Sequence, residues 1–283
     1  MTREGAFVRQ ESRFRELPAG PPERYHLYAS RACPWSHRTL IARVLLGLEE
    51  RLAVSHIHPY RDERGWAFSG GDFVDHVNGF AFLREAYERT EPGYDGRVTS
   101  PVLWDLEAGR IDCNDSSLIV RALDRWVDGP LFPEALRAEV DELTEWIHRD
   151  FQNGVYRAGF ARSQQAYDEA FHDVVTSRDR LEALLAERRY LAGEAITGAD
   201  VLLLPTLLRF DAVYHTHFRC NDRRLVECPN LLRYTRDLFH QPGVAATFEL
   251  DEIKEHYYTT HDELEPKRII PGGPLDLGFT SPP

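Results

Sequence analysis

The segment SRACPWSHRTL (30–40) places a cysteine directly before a proline and a tryptophan. Proline is favoured at the first position of a helix, because its missing N–H would have no partner there. Cys33 is therefore predicted at the N-cap, where backbone N–H groups and the positive end of the helix dipole favour an anion. We expect a thiolate nucleophile, to which Arg38 adds positive charge.

A dithiol redox motif would carry a second cysteine where this chain has Ser36, the fourth residue of CPWS. A mixed disulfide formed on Cys33 must then be resolved by an external thiol. The alternative is a buried, inert cysteine that merely precedes a helix, and an isolated Cys-Pro dipeptide would favour it. The position of Cys33 between a predicted strand and an amphipathic helix favours the nucleophile instead.

A second predicted helix start also carries residue types that can bind a small molecule. In NDSS (114–117), Asp115 and Ser116 lie where backbone N–H groups and a hydroxyl can hold a carboxylate. The Asp115 carboxylate can accept the ammonium group of the same amino acid. Taken alone, the motif is more simply explained by helix capping.

The elements that position these residues alternate between strand and helix in the first half of the chain. The predicted strands and helices are, in order, YHLYAS (25–30), PWSHRTLIARVLLGL (34–48), LAVSHIHPY (52–60), VTSPVLWD (98–105), GRIDC (109–113) and DSSLIVRALDRW (115–126). A βαβ unit followed by a β-hairpin and a helix is the order of a thioredoxin-like domain. The long segment Arg61–Tyr94, with a predicted helix GFAFLREAYERT, is a candidate lid over the site.

Pro101 lies inside the predicted strand VTSPVLWD. In the thioredoxin superfamily the matching proline is cis and frames the active site, so that the backbone of Ser100 can pair with an extended, peptide-like thiol. An ordinary edge-strand proline explains the pattern equally well.

After residue 130 the strand signals end and helical patterns continue to about residue 248, with Thr197 and Asp200 at the spacing of a capping box. We predict an α/β thioredoxin-like domain followed by an all-α domain. The predicted parts are an N-terminal extension (1–24), the thioredoxin-like thiol-binding domain (25–127), the all-helical domain (134–250) and a Pro/Gly-rich C-terminal tail (251–283).

Composition excludes several classes of function. The net charge of −12 argues against nucleic-acid binding, because phosphates repel an acidic surface. No run of eighteen apolar residues is present to span a membrane, and the N-terminus lacks the pattern of a secretory signal. The four cysteines lack the spacing of a disulfide framework or a zinc site, so we expect a cytoplasmic protein without metal.

Five motifs together resemble the Xi class of glutathione transferases, the glutathionyl-hydroquinone reductases. They are ACPWSHRTLI, GRVTSPVLWD, NDSSLIVRAL, NGVYRAGFARSQQAYDEA and HYYTTHDELEP with IIPGGP. The resemblance runs from Tyr25 to Pro274 and implies a homodimer with a glutathione-dependent reaction. In that reaction the Cys33 thiolate attacks the sulfur of a glutathionyl-hydroquinone and expels the hydroquinone, and a second glutathione resolves the disulfide.

The resemblance also implies residue roles that composition and spacing do not. Cys33 would be the nucleophile, while Tyr156 and Tyr257 would hydrogen-bond the hydroquinone and help protonate the departing carbon. The thiol-binding residues implied are Trp66, Ser100, Pro101, Asp115 and Ser116. Without the resemblance, each tyrosine is better explained as a core or interface aromatic.

Two positions depart from the family pattern, which more often has glutamate at Asp115 and valine at Ser100. Both would touch the thiol co-substrate, so its identity stays open among glutathione, mycothiol and another bacterial or archaeal thiol.

Two rival functions also stay open. One is an omega-like thiol transferase that acts on mixed disulfides, and the other is a non-enzymatic scaffold with the transferase fold.

Overall fold

A computed structural model describes residues 4–281 and divides them into two compact units. The sheet unit comprises Gln10–Gly129 and Pro242–Thr260, and the helical unit comprises residues 4–9, Pro130–Gln241 and residues 261–281. No helix within residues 4–281 has the length and apolar character needed to cross a bilayer.

The sheet unit begins with a thioredoxin-like arrangement, as predicted. Its elements to residue 126 are β1 (Tyr25–Ala29), α1 (Pro34–Leu45), β2 (Ala53–His56), β3 (Arg61–Asp62), β4 (Gly65–Trp66), α2 (Arg84–Thr90), β5 (Val102–Asp105), β6 (Arg110–Cys113) and α3 (Ser116–Trp126). The four-stranded sheet has the order β2-β1-β5-β6, in which β1 is parallel to β2 and antiparallel to β5. The separate hairpin β3–β4 was not predicted.

The central strand and the first helix follow from their sequences. All five residues of β1 are buried, because the strand lies between two neighbours and packs against α1. Helix α1 starts with Pro34 at its first position and buries Leu40 and Ile41 against the sheet. It stops before Gly47, whose φ of +64° is a left-handed conformation that ends helices and favours glycine.

Asp75 anchors the long segment between β2 and β5. Its carboxylate accepts a hydrogen bond from the Tyr28 hydroxyl of β1 at 2.9 Å. The same carboxylate accepts the backbone N–H groups of Val77 at 3.0 Å and Phe80 at 2.9 Å. The Tyr28 bond attaches the candidate lid to the central strand, and the two backbone bonds fix the turn that follows Asp75.

The helical unit confirms the predicted all-α region. It contains α4 (Arg137–Trp146), α5 (Asn153–Gly159), α6 (Gln164–Glu187), α7 (Gly198–Arg209) and α8 (Pro229–Phe239). Turns of π-helix follow α4 at Ile147–Gln152 and α7 at Phe210–Tyr214. The capping interaction at the start of α7 is present, since the Asp200 carboxylate accepts the backbone N–H of Thr197 at 2.7 Å.

The tail predicted from residue 251 begins instead with a helix, α9 (Leu250–Thr260), which belongs to the sheet unit. Ile253 and Tyr257 are one helical turn apart and both have no exposed surface, so the buried side of the helix stabilises it. The contacts also place the whole of Pro242–Thr260 in the sheet unit. The predicted boundary between residues 250 and 251 instead divides that segment between the helical domain and the tail.

Candidate active site

Cys33 occupies the N-cap of α1, as its sequence context predicts, with φ −79° and ψ 122°. Its backbone carbonyl accepts the N–H of His37 at 2.9 Å, which closes the first helical turn. The thiol is only 5% exposed and lies 3.5 Å from the carbonyl oxygen of Ser100, to which it donates. The structure therefore brings Cys33 and Ser100 together.

The bond between Ser100 and Pro101 is cis, the isomer that the thioredoxin-superfamily interpretation of this proline expects. It precedes β5 and presents the Ser100 carbonyl to the Cys33 thiol. The Ser100 hydroxyl is hydrogen-bonded to the hydroxyl of Ser36 on α1. Ser36 thus fills the place of a resolving cysteine and contacts the cis-proline loop.

Asp115 caps α3 in the way that the simpler interpretation of NDSS predicts. Its Oδ1 accepts the backbone N–H groups of Ser117 at 3.0 Å and Leu118 at 3.2 Å. Its Oδ2 forms an ion pair with Arg15 at 3.1 Å, a partner that the sequence did not suggest. One carboxylate oxygen is therefore used in capping, and the other faces a cation.

Ser116 is linked to α1 through Arg38. The Arg38 guanidinium donates to the Ser116 hydroxyl at 3.1 Å and lies over the Trp35 ring at 4.4 Å. It is 2% exposed, so this contact joins the N-terminal ends of α1 and α3 in the interior. Arg38 therefore has a structural partner in Ser116, and its electrostatic effect on Cys33 stays a prediction.

Helix α9 brings a third group of residues into the sheet unit. The His256 ring stacks on Trp66 with centroids 4.9 Å apart, and its Nδ1 is 2.7 Å from the carbonyl oxygen of Pro59. The next residue, Tyr257, has no exposed surface. His256 was missed in the sequence, although its position beside Tyr257 in HYY is a signal that could have found it.

The loop that precedes Cys33 is tied to the same helix by an ion pair between Arg31 and Glu252. The Arg31 Nε lies 3.0 Å from one Glu252 carboxylate oxygen and 3.1 Å from the other. Their side chains are 19% and 15% exposed. Because Arg31 precedes Cys33 by two residues, this pair fixes the loop relative to the helix that carries Tyr257.

Tyr156 lies on α5 of the helical unit, whereas all the other predicted site residues lie in the sheet unit. Its ring packs against Phe218 at 5.1 Å and Tyr214 at 5.9 Å. The Arg9 guanidinium lies over the ring at 4.5 Å, and Arg9 also donates to the Asn153 side chain at 2.7 Å. The N-terminal extension therefore supplies a cation to Tyr156.

The other three cysteines are poor candidates for a nucleophile. Burial raises the pKa of Cys113 and of Cys220 to about 12 and also raises the pKa of Cys228. These groups stay protonated at neutral pH. Cys228 is a useful comparison for Cys33, because it also caps a helix, α8, with proline at the first position.

Among residues 4–281, no cluster of three or more His, Cys, Asp or Glu side chains is arranged to hold a metal ion.

Two families match the chain, "Glutathione S-transferase, N-terminal domain" over residues 32–126 and "Glutathione S-transferase, C-terminal domain" over residues 164–237. The glutathionyl-hydroquinone reductase PcpF of Sphingobium chlorophenolicum is 46% identical over 95% of this chain and 90% of its own length. The glutathionyl-hydroquinone reductase YqjG of Escherichia coli is 45% identical over 89% of this chain and 80% of its own length.

Solved structures agree with these sequence matches. The glutathione-bound structure of E. coli YqjG has a TM-score of 0.89 at 44% identity and covers 93% of this chain and 88% of that one. The Xi-class transferase of Phanerochaete chrysosporium has a TM-score of 0.92 at 39% identity and covers 96% of this chain and 94% of that one.

Proposed function

The chain belongs to the Xi class of glutathione transferases, the glutathionyl-hydroquinone reductase family, and on this premise we propose that it reduces glutathionyl-hydroquinones through Cys33. The observation that supports the proposal best is the position of one cysteine at the N-cap of α1, beside the cis-proline loop. Ser36 at the fourth position of the motif leaves resolution to a second thiol.

In the first step, the Cys33 thiolate attacks the sulfur of the thioether that joins glutathione to the hydroquinone ring. An S–S bond forms between Cys33 and glutathione, and the C–S bond breaks with its electron pair left on the ring carbon. That carbon takes a proton, so the hydroquinone is reduced and the sulfur is oxidised. In the second step, a glutathione thiolate attacks the mixed disulfide, releasing oxidised glutathione and the Cys33 thiolate.

We assign glutathione binding to the residues around Cys33. The backbone of Ser100, next to Pro101, can pair with the peptide-like part of glutathione, and Trp66 lines the site. The N-terminus of α3 and the Ser116 hydroxyl suit the γ-glutamyl carboxylate. The Oδ2 of Asp115, which is not used in capping, suits the ammonium group in exchange for Arg15.

We assign hydroquinone binding and proton donation to Tyr156 and Tyr257. A tyrosine hydroxyl can hydrogen-bond a phenolic oxygen and supply a proton to the carbon that loses sulfur. The Arg9 guanidinium above the Tyr156 ring supports this assignment, since it places a positive charge beside the proposed proton donor.

Steady-state turnover tests the function directly. Purified protein is incubated with a glutathionyl-hydroquinone and glutathione, and hydroquinone and oxidised glutathione are quantified together. We expect equal amounts of both products, loss of turnover in Cys33→Ser, and retained turnover in Cys228→Ala, which alters the other Cys-Pro helix start. Turnover by Cys33→Ser would refute the assignment.

Three finer features accompany the proposal. We propose glutathione as the physiological thiol; faster turnover of a mycothiol adduct than of the glutathione adduct would refute this.

We also propose a homodimer, which light scattering of the purified protein tests, and a cytoplasmic location. The location is supported by four cysteines that are all unpaired in the structure.

A further inference from the structure

Tyr87 is a completely buried residue of α2 to which the reaction assigns no role. Its hydroxyl donates to the backbone carbonyl of Thr99 at 2.8 Å and accepts the backbone N–H of the same residue at 3.2 Å. It also accepts the side-chain N–H of Asn114 at 2.9 Å. The donor and both acceptor positions of one hydroxyl are therefore used.

These partners come directly before the two segments assigned to glutathione binding. Thr99 precedes Ser100, whose backbone faces the Cys33 thiol, and Asn114 precedes Asp115 at the start of α3. The two segments are also linked to each other, since the Asn114 side chain donates to the Thr99 hydroxyl at 3.1 Å. The Tyr87 hydroxyl thus bonds both segments at once, beside the direct contact between Asn114 and Thr99.

The environment keeps this hydroxyl neutral and fixed. Burial raises the pKa of Tyr87 to about 12, so the group remains a donor at cellular pH. The Asn114 amide is fixed in turn, because its Oδ1 accepts the backbone N–H of Phe14 at 3.0 Å. A buried network in which every member has a partner holds one geometry and is costly to disturb.

We propose that Tyr87 is a positioning residue for the thiol site, whose hydroxyl holds the Ser100 loop and the Asp115 helix start at the separation that glutathione requires. This inference rests on the proposed function, because it takes both segments as glutathione ligands. It places the residue outside the chemistry: Tyr87 acts on affinity for glutathione through Thr99 and Asn114. A defect in the network should therefore weaken binding and leave the reaction of bound substrate intact.

The test compares Tyr87→Phe with Tyr25→Phe. Tyr25 is 1% exposed in the same unit, but its hydroxyl accepts the backbone N–H groups of Ala19 at 3.0 Å and Gly20 at 3.4 Å instead. For Tyr87→Phe we expect the Kd and KM for glutathione to rise about tenfold, as loss of a buried hydrogen-bonding group would produce. The kcat at saturating glutathione should stay within about twofold. Tyr25→Phe should lower the thermal midpoint while leaving both glutathione constants within the same twofold range.

A second variant keeps the inference testable if Tyr87→Phe does not fold. Asn114→Ala removes the amide of the same network and should weaken glutathione binding similarly, and the two changes combined should be less than additive. Unchanged glutathione affinity in both variants, or a loss of kcat at unchanged KM, would overturn the inference. Failure of the proposed function is distinguishable, because the unaltered protein would then show neither glutathione binding nor turnover.

Discussion

At the scale of single residues, two cysteines share the same local sequence, a Cys-Pro pair at a helix N-terminus, but differ in their tertiary environment. Cys33 and Cys228 each cap a helix and each precede a proline at the first helical position. Burial raises the pKa of Cys228, and its sulfur donates to the carbonyl of Arg224 at 3.7 Å. Cys33 instead lies beside the cis-proline loop. The Cys-Pro dipeptide alone therefore does not define the nucleophile.

Alkylation rates should separate these two cysteines. When the native protein is treated with iodoacetamide at neutral pH, we expect Cys33 to be modified at least tenfold faster than Cys228, since the thiolate is the reactive form. Peptide mass spectrometry of timed samples measures both rates in one protein. Equal rates, or faster modification of Cys228, would contradict the assignment.

The two tyrosines should affect hydroquinone release without affecting the thiol half of the reaction. Tyr156→Phe and Tyr257→Phe each remove a proposed proton donor, so we expect about a hundredfold slower turnover of a glutathionyl-hydroquinone. Reduction of a small glutathione mixed disulfide has no departing carbon and should remain within about twofold. Tyr190→Phe, a buried tyrosine of the helical unit, is the matched control. Equal losses with both substrates would favour a general thiol transferase.

Asp115 shows where residue-level prediction stops. The sequence offered helix capping or ammonium binding, and the structure contains the cap. It also contains Arg15 on the other oxygen, one hundred residues earlier in the chain and without any local signal. Contacts of this kind come from tertiary structure, so no spacing rule could have found them.

At the scale of elements, α9 gathers contacts to several parts of the sheet unit. It carries Tyr257, stacks His256 on Trp66 of β4, and pairs Glu252 with Arg31 in the loop that precedes Cys33. The helix is short, so these contacts contribute more to its stability than intrinsic helix propensity does. Through these contacts the helix that carries Tyr257 is joined to the loop and to the β3–β4 hairpin.

A double-mutant cycle on Arg31→Ala and Glu252→Ala should reveal this coupling. Both side chains are largely buried, so we expect a coupling of about 1 kcal/mol in the free energy of unfolding, above that of most surface pairs. Urea unfolding of the four proteins measures it. The exposed pair Arg268–Asp262, at 48% and 59% side-chain exposure, is the control and should give a value near zero. A coupling no larger than that of the control pair would contradict the proposed role of the ion pair.

Elements with strong local signals were predicted well, and those held by distant contacts were not. Helix α3 matches its predicted segment (115–126), because Asp115 caps it and its apolar positions repeat at helical spacing. Helix α9 was assigned to an irregular tail, because a Pro/Gly-rich stretch follows it and its stabilising partners lie about two hundred residues earlier. The β3–β4 hairpin has two residues in each strand, too few for a recognisable alternation.

At the scale of the whole molecule, stability should depend on pH through two histidines of the sheet unit, the buried His26 and the half-buried His56. Burial lowers the pKa of His26 and of His56 from 6.5 to about 4. Between pH 4 and pH 6.5 the unfolded chain binds more protons than the folded one. The contribution of each histidine to the free energy of unfolding is therefore fully present above pH 6.5 and is lost as the pH falls toward 4.

Unfolding free energies measured by urea titration from pH 7 to pH 4 should therefore decrease. For His26, which is 3% exposed, the loss is up to about 3 kcal/mol. The variant His26→Gln keeps a polar group near Ser55 and should show a shallower decrease than the unaltered protein. An identical pH slope in both proteins would show that His26 does not titrate as its burial predicts.

The central claim is that Cys33 alone carries glutathione during the reaction. The most direct measurement is a single turnover with a glutathionyl-hydroquinone and no free glutathione, followed by intact-protein mass spectrometry and peptide mapping. We predict one glutathione bound through a disulfide to Cys33, one equivalent of released hydroquinone, and neither product with Cys33→Ser. A glutathione adduct on Cys113, Cys220 or Cys228, or hydroquinone release without any adduct, would contradict the account.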